Sequence, residues 1–262
     1  MKRTLIPMLQ DNYCHIIIDE EAQKAVAIDP SEALPLLKFL ADHELQLEAI
    51  WNTHHHWDHT GGNEEVAHET SCAVIGAASD AHRIPAITQT VHHGDTFLFS
   101  DEKVEVFENP GHTTGAISFY MNERSGDRHV YTGDTLFLGG CGRLFEGSPE
   151  DMWASMLLLR ELPEDTWVHC GHEYTAANLR FAHYLEPKNT VIEDRIKQIE
   201  ERVQRGLPTV PAQLAIECKT NPFLRADDSK LLQAIEDQHG EKLRPGTEAF
   251  AYMRSTKDSF RS

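Results

Sequence analysis

Short runs of apolar and β-branched residues alternate with polar turns over the first two thirds of the chain. Segments 14–18 and 24–28 are such runs on either side of an acidic turn, which predicts a β-hairpin. Further runs typical of strands occupy residues 47–51, 73–75, 96–99, 104–107, 116–120, 129–131 and 166–168. Helices are predicted to begin with Ser31 as an N-cap and at Asn63. Many strands with occasional helices indicate a mixed α/β domain.

The pattern changes beyond Tyr174, where apolar residues recur at helical spacing. Helices are predicted to begin near Asn189, Ser229 and Thr247, with Asn189 as an N-cap. We therefore expect an α/β domain over residues 1–173 and a helical domain over residues 174–262.

A histidine-rich stretch, Thr53 to Gly62, follows the strand predicted at 47–51 and precedes the helix predicted at Asn63. Strand ends are where α/β proteins carry their chemistry. Side chains two positions apart in an extended segment point the same way, so His54 and His56 can bind one ion. Asp58 and His59, past the turn, would then face a neighbouring ion. A solvated histidine-rich loop is the alternative, but the spacing His-x-His-x-Asp-His favours a metal site.

Three later strands each end in a polar turn where a glycine directly precedes a candidate ligand, which is His112, Asp134 or His172. Glycine permits the sharp turn that presents such a side chain to a common centre. A lone Gly-His pair is usually structural. The metal site is therefore predicted from the three candidate ligands together with the histidine-rich stretch. Two ions would take His54, His56 and His112 on one side, and Asp58, His59 and His172 on the other. Asp134 would bridge them, because one carboxylate can serve both ions.

The charge and the cysteine content of the chain limit the partners and the cellular location that we expect. The chain of 262 residues has 24 Lys and Arg against 42 Asp and Glu, a formal charge of −18. Such a surface repels nucleic acids and anionic membranes, so we expect neither as a partner. With no apolar run long enough to span a membrane and no signal peptide, the expected location is cytoplasmic. The five cysteines form no Cys-x-x-Cys pair, which predicts reduced thiols.

These motifs resemble the metallo-β-lactamase superfamily and, more narrowly, the glyoxalase II family of hydroxyacylglutathione hydrolases, over essentially the whole chain. The resemblance implies an αββα sandwich with a binuclear metal site at one edge and a C-terminal helical domain. All seven ligand positions of the family are matched, by His54, His56, Asp58, His59, His112, Asp134 and His172. A His/Asp site without thiolate suits zinc and also accommodates iron or manganese.

The resemblance implies hydrolysis of S-(2-hydroxyacyl)glutathione, above all S-lactoylglutathione, to D-lactate and glutathione in the second step of methylglyoxal detoxification. A water shared by the two ions would be the nucleophile, with Asp58 and Asp134 as catalytic residues acting through it. The thiolate leaving group has a pKa near ~8.5, so the reaction needs little help from a general acid.

The substrate-binding prediction concerns the basic end of the chain. Arg254 and Lys257 lie three apart on a predicted helix and share a face. A solvated basic helix end is the alternative, but the pattern Arg-x-x-Lys-Asp matches the family's clamp for the glycine carboxylate of glutathione. Arg143, Phe145 and Tyr174 also fall on family substrate-binding positions, although other members have Lys and Tyr at the first two. We expect a glutathione thioester as the small-molecule partner, and a monomer.

Three other functions are weighed against hydrolysis of the thioester. A persulfide dioxygenase of the same superfamily would use one iron ion and lack the long helical C-terminus with its Arg254 and Lys257 pair. A non-catalytic metal-binding protein would retain the fold without turnover, and the complete ligand set disfavours it. A lactamase would commonly carry Cys in place of Asp134. Cys141, in the loop with Arg143, is predicted to be a structural thiol rather than a nucleophile.

Overall fold

A computed structural model describes residues 1–260. Residues 261 and 262, the last two of the predicted helical domain, lie outside the described residues. The chain forms two compact units, the first from residues 1–108 with 114–133, and the second from residues 109–113 with the chain from 134 onwards. The domain boundary expected between residues 173 and 174 stays a prediction.

The first unit contains ten strands and three α-helices among the described residues. The strands are β1 (Lys2–Met8), β2 (Asn12–Asp19), β3 (Lys24–Ile28), β4 (Gln46–Trp51), β5 (Ala73–Ala77), β6 (Gln89–Val91), β7 (Thr96–Phe99), β8 (Glu102–Glu108), β9 (Ile117–Asn122) and β10 (Arg128–Gly133). The helices are α1 (Ala33–Asp42), α2 (Trp57–Thr60) and α3 (Asn63–Thr70). Every strand predicted up to residue 131 is present, whereas β1, β6 and α2 were not predicted.

Strands β1 to β6 form one sheet in chain order. The pairs β1/β2 and β2/β3 are antiparallel, which confirms the predicted hairpin, while β3 to β6 run parallel. Strands β7 to β10 form an antiparallel ladder in the order β10, β9, β8, β7. The histidine-rich stretch therefore begins at the carboxyl end of a central parallel strand, β4, as the sequence predicts.

The core of the first unit follows from the alternation of side chains along its strands. One face of the six-stranded sheet packs against the ladder of β7 to β10, with the Trp51 ring 5.2 Å from both Phe97 and Phe119. The opposite face packs against α1 and α3 through Leu36 and Val66, which are both fully buried. This core fixes the end of β4 where the candidate ligands begin.

The predicted N-cap of α1 is wrong. The helix starts at Ala33 with Glu32 as its N-cap, and no side chain caps it. Ser31 lies one residue too early for that role. Its hydroxyl instead donates a hydrogen bond to the carbonyl oxygen of Asp58, so it holds the loop of a candidate ligand.

The second unit is mainly helical among its described residues. Its helices are α4 (Pro149–Arg160), α5 (Thr175–Leu185), α6 (Thr190–Gln204), α7 (Leu214–Thr220), α8 (Ser229–His239) and α9 (Thr247–Ser259). Its strands are β11 (Leu136–Phe137), β12 (Gly140–Cys141), β13 (Trp167–Cys170) and β14 (Ala212–Gln213). The Asn189 cap is confirmed, since its side-chain oxygen accepts from the amides of Val191 and Ile192. Within residues 1–260, no helix has the length and apolar character needed to cross a bilayer.

Candidate metal centre

The first group of candidate ligands lies in the loop between β4 and α2. His54 Nε2 is 3.1 Å from His56 Nδ1. Two nitrogen ligands of a tetrahedral zinc ion lie about 3.3 Å apart, because each Zn–N bond is roughly 2.0–2.1 Å long. The two imidazoles are therefore placed as two ligands of one ion would be, as the His-x-His spacing predicts.

Asp29 organises this loop although it is not itself a predicted ligand. One carboxylate oxygen accepts from the Thr53 amide at 2.8 Å, and the other accepts from the Thr53 hydroxyl at 2.6 Å. The hydroxyl proton is thereby committed, so Thr53 Oγ1, 3.0 Å from His54 Nδ1, accepts the proton of that nitrogen. His54 consequently presents the lone pair of Nε2. Gly133 leaves room for this arrangement, because a Cβ there would lie 2.1 Å from Thr53 Oγ1.

The same carboxylate sets the tautomer of His59. Asp29 Oδ2 lies 3.0 Å from His59 Nδ1, so that nitrogen donates and Nε2 keeps its lone pair. His59 Nε2 lies 3.7 Å from Asp58 Oδ2, which also accepts from the Asn12 side chain at 3.1 Å. Ligand atoms of Asp29, His54 and His59 all lie within 4.8 Å of one another. The first unit thus gathers four predicted ligands around one buried carboxylate.

The second unit contains the other three predicted ligands. Asp134 directly follows β10, and its Oδ2 lies 3.5 Å from His112 Nε2 and 3.3 Å from His172 Nε2. One carboxylate oxygen therefore faces two histidines that the sequence assigns to different ions. His112 Nδ1 is 2.8 Å from the Arg143 carbonyl oxygen, which can only accept, so Nε2 carries the lone pair. The His172 ring stacks on Tyr174 at 4.7 Å, with the ring planes 5° apart.

These donor atoms fit a pair of divalent cations. The seven side chains supply five imidazoles and two carboxylates, a set that suits zinc, iron or manganese. Histidines 54, 59 and 112 each donate Nδ1–H to an oxygen and direct Nε2 towards another candidate ligand, the usual pattern behind a metal-binding histidine. The seven candidate ligands are therefore chemically suited to the divalent metal ions that their spacing in the sequence implies.

The predicted substrate-binding side chains form a basic cluster in the second unit. Asp258 Oδ1 accepts from Arg143 Nε at 3.2 Å and from Arg254 Nη2 at 3.0 Å. Burial, together with the positive charges of Arg254 and Arg180, lowers the pKa of the Lys257 ammonium to about 8. An incoming carboxylate would relieve this crowding of positive charge.

The aromatic residues beside this cluster differ in their contacts. Phe145 is exposed, and its ring lies 5.3 Å from His112 and 6.0 Å from the Arg143 guanidinium carbon. Tyr174 lies against both His172 and Phe137. The predicted substrate-binding residues therefore flank the ligands of the second unit.

Other side chains near the ligands have structural surroundings. Trp57 faces solvent at 71% exposure, while His55 bonds to Asp80 at 3.0 Å. His169 and Cys170 lie buried on β13. All five cysteines are free thiols, and burial raises the pKa of the Cys141 thiol to about 11. A thiol that stays protonated at neutral pH is a poor nucleophile, which agrees with the structural role predicted for Cys141.

Asp29 and Asn12 are functional residues that the sequence reasoning missed. Asp29 follows β3, so it ends a parallel strand adjacent to β4. The rule that strand ends carry chemistry would have found it. Asn12 gave no such signal, because its role depends on where the turn before β2 meets the loop containing Asp58.

Comparison with known proteins identifies the family. A model of the metallo-β-lactamase superfamily matches residues 18–172, and a model described as the hydroxyacylglutathione hydrolase C-terminus matches residues 173–260. A hydroxyacylglutathione hydrolase of Gloeobacter violaceus is 45% identical, over 96% of this chain and 97% of its own. The chain belongs to the hydroxyacylglutathione hydrolases of the metallo-β-lactamase superfamily. A second hydroxyacylglutathione hydrolase, from Cyanothece sp., is 42% identical, over 97% of this chain and 98% of its own.

Solved structures confirm the fold of this hydroxyacylglutathione hydrolase. A crystal structure of ETHE1 from Myxococcus xanthus matches with a TM-score of 0.66 and 23% identity, covering 98% of both chains. The predicted metallo-β-lactamase fold with a helical C-terminal region is thereby confirmed. The family also confirms the metal-dependent hydrolase predicted from the seven ligand positions.

Proposed function

We propose that this chain hydrolyses the thioester of S-(2-hydroxyacyl)glutathione, with S-lactoylglutathione as the main substrate. The products are a 2-hydroxy acid, D-lactate in that case, and glutathione, the second step of methylglyoxal detoxification. The observation that supports this most directly is the loop from Asp134 to Arg143. Its first residue lies between two ligand histidines, and its last joins the basic cluster. One short loop thus links metal binding to anion binding.

The proposed ligand assignment is the one that the ligand spacing and the family resemblance imply. His54, His56 and His112 would hold one ion, Asp58, His59 and His172 would hold the other, and Asp134 would be shared by both. The proposed metal is zinc, which imidazole and carboxylate ligands suit, and iron or manganese would fit the same donors. Bound ions of this kind supply a nucleophilic water at neutral pH and polarise the carbonyl that it attacks.

The protein side chains keep this centre in a reactive arrangement. Asn12 donates to Asp58, and Asp134 Oδ2 lies between His112 Nε2 and His172 Nε2, so both carboxylates are proposed to act as catalytic residues through the two bound metal ions. The departing thiolate has a pKa near ~8.5 and leaves without a proton donor. The buried thiol of Cys141 takes no part, since its pKa of about 11 keeps it protonated.

The basic cluster is proposed to bind the glycine carboxylate of glutathione. Arg143 and Lys257 offer positive charge, and Arg254 Nε is buried with no hydrogen-bond partner among the described residues. Charge-assisted bonds to a carboxylate would satisfy these donors. Phe145 has no hydroxyl, so it contributes apolar contact only, while Tyr174 lies beside His172. A location in the cytoplasm and a monomeric state are also proposed.

The match of the C-terminal family model to residues 173–260 counts against the persulfide dioxygenase alternative, which would lack this region. The complete set of seven donors likewise counts against a non-catalytic protein. No second function is therefore proposed.

The deciding experiment is a steady-state assay of the zinc-loaded protein with S-lactoylglutathione, in which the release of free thiol is measured. Replacement of Asp134 by Asn removes a bridging ligand but keeps the side-chain volume. We expect turnover to fall by more than the roughly 10- to 100-fold that loss of an outer partner of a metal ligand costs. Absence of hydrolysis by a folded, unmodified protein with two bound ions would reject the proposal, and oxygen consumption with glutathione persulfide would favour the dioxygenase.

A further inference from the structure

The hairpin of β11 and β12 connects Asp134 to Arg143, and its own hydrogen bonding is minimal. Only two residue pairs form its ladder, Leu136 with Cys141 and Phe137 with Gly140. Residues 136–141 are nevertheless all buried. An isolated two-stranded hairpin is marginal in water, and buried backbone groups must find partners. Other parts of the chain must therefore supply the missing hydrogen bonds.

Side chains from the helical region make these bonds along five consecutive residues. Asn221 Nδ2 donates to the carbonyl oxygens of Phe137 at 3.1 Å and Gly140 at 2.9 Å. Asn178 donates to the Leu138 carbonyl at 3.2 Å, and Arg254 to the Cys141 carbonyl at 2.8 Å. The Gly139 amide donates to Glu217 Oε2 at 2.7 Å. We call Asn178, Glu217, Asn221 and Arg254 the hairpin cradle.

A buried ion pair fixes the centre of the hairpin cradle. Glu217 is fully buried and accepts from Arg195, which is only 4% exposed, through its second carboxylate oxygen. Its Oε2 also accepts from Asn221 Nδ2 at 3.2 Å. The Asn221 side-chain oxygen in turn accepts from the Phe223 amide at 3.1 Å. Every polar atom of the Glu217 and Asn221 side chains therefore has a hydrogen-bond partner. These bonds hold the hairpin in a single position.

The hairpin in turn holds Asp134. The Gly142 amide donates to the Thr135 carbonyl at 3.2 Å. A Cβ at position 142 would lie 1.9 Å from the Asp134 carbonyl oxygen and 2.9 Å from His112 Nδ1. The returning end of the hairpin therefore packs directly on the peptide of Asp134 and on the ring of His112, so a shift of the hairpin moves both.

We propose that Glu217 and Asn221 are positioning residues for the metal centre, acting through the hairpin on Asp134 and His112. The helical region thereby sets metal affinity as well as substrate binding. The proposal rests on the proposed function, because it takes Asp134 and His112 as metal ligands. It predicts that a change at residue 221, 87 positions after Asp134 in the chain, weakens metal binding.

The test compares Asn221→Asp with a matched control. Aspartate has the shape of asparagine, but it places an oxygen against the carbonyls of Phe137 and Gly140 and removes both bonds. The control is Glu186→Gln, which breaks another ion pair of the helical region, between Glu186 and Arg225, each 8% exposed. Zinc affinity is measured by competition with a chromophoric chelator, together with ions per chain, melting temperature, kcat and KM.

For Asn221→Asp we expect zinc affinity at one or both sites to weaken about 10- to 100-fold, the usual effect of losing an outer partner of a ligand. The kcat of this variant, measured at limiting zinc, should fall in proportion to the fraction of its metal sites that are occupied. Glu186→Gln should lower the melting temperature and leave zinc affinity unchanged. Glu217→Gln, which keeps an oxygen for the Gly139 amide, should weaken zinc binding less and serves if Asn221→Asp fails to fold.

The proposal is overturned if the unmodified protein hydrolyses S-lactoylglutathione and a folded Asn221→Asp or Glu217→Gln variant binds zinc with the same affinity as the unmodified protein. It is also overturned if Glu186→Gln weakens zinc binding equally, since the effect would then be general destabilisation. If the unmodified protein binds no divalent ion, the ligand assignment and the proposed function fail as well. Unchanged zinc binding in the variants, or equal weakening in Glu186→Gln, would overturn only the positioning role and leave the proposed hydrolase function intact. Failure of the positioning role can therefore be told apart from failure of the proposed function.

Discussion

Asp29 shows how one side chain serves several functional groups. It accepts three hydrogens through its two oxygens, it reaches His54 by way of the Thr53 hydroxyl, and it is 3% exposed. Its backbone φ of +54° lies in the left-handed region, which is uncommon outside glycine and marks a constrained position. Because His54 and His59 are assigned to different ions, one carboxylate orients ligands of both.

Replacing Asp29 by Asn should weaken zinc binding about 10- to 100-fold, because the amide cannot accept from both His59 and Thr53 as the carboxylate does. Zinc competition titration measures the effect. The matched control is Asp80→Asn, since Asp80 is also fully buried and accepts from His55, which is not a predicted ligand. Equal zinc affinities in the Asp29→Asn variant and the unmodified protein would show that Asp29 has no positioning role.

Lys257 should give the proposed substrate-binding cluster a pH dependence. Its ammonium has a pKa of about 8, so the group is charged below that pH and neutral above it. Binding of an anionic glutathione thioester should therefore weaken as pH rises through about 8, and kcat/KM for S-lactoylglutathione should fall. Lys257→Arg keeps its charge throughout, since a guanidinium stays protonated. Its kcat/KM should lack this decline, and an identical profile in both proteins would contradict the assignment.

At the scale of elements, helix α4 has a strong start signal. Ser148 accepts from the Asp151 amide at 3.2 Å, and Asp151 accepts from the Ser148 amide at 2.9 Å, which forms a capping box before Pro149. Ser148→Ala should lower the free energy of unfolding by about 1 kcal/mol, as measured by urea denaturation. Zinc content should stay unchanged. A variant as stable as the unmodified protein would show that the cap contributes nothing.

The sequence predicts most strands and three C-terminal helices, α6, α8 and α9, because their apolar periodicity is strong, but it misses α5 and α7. It misses β11 and β12, because strands of two residues have no periodicity and depend on partners such as Asn221. It places the start of α1 wrongly, because Ser31 is drawn to the Asp58 carbonyl by a tertiary contact. Local pattern therefore identifies elements, whereas long-range hydrogen bonds decide their ends.

The metal ligands are predictable for a different reason. Their types and spacing are constrained by coordination chemistry, so His-x-His-x-Asp-His and the three glycine-preceded ligands stand out in the sequence. Asn12 and Glu217 bond to groups far away in the sequence and follow no fixed spacing, so only the geometry reveals them. Asp29 follows no fixed spacing either, but its place at the end of a strand marks it.

At the scale of the whole molecule, an acidic chain acts on an anionic substrate. The net charge of −18 opposes such a substrate at long range, so we propose that recognition comes from the local cluster of Arg143, Arg254 and Lys257. Most acidic side chains are elsewhere on the chain, with Asp258 the one that pairs with both arginines of this cluster. Local charge, rather than total charge, then determines which ligand binds.

Seven side chains from widely separated parts of the sequence are proposed to hold two metal ions. An anomalous-difference map from crystals of the zinc-loaded protein would locate these ions. We expect two peaks, one at His54, His56 and His112, and one at Asp58, His59 and His172, with Asp134 bound to both. A single peak, or peaks that leave Asp134 without a bond to metal, would contradict this proposal.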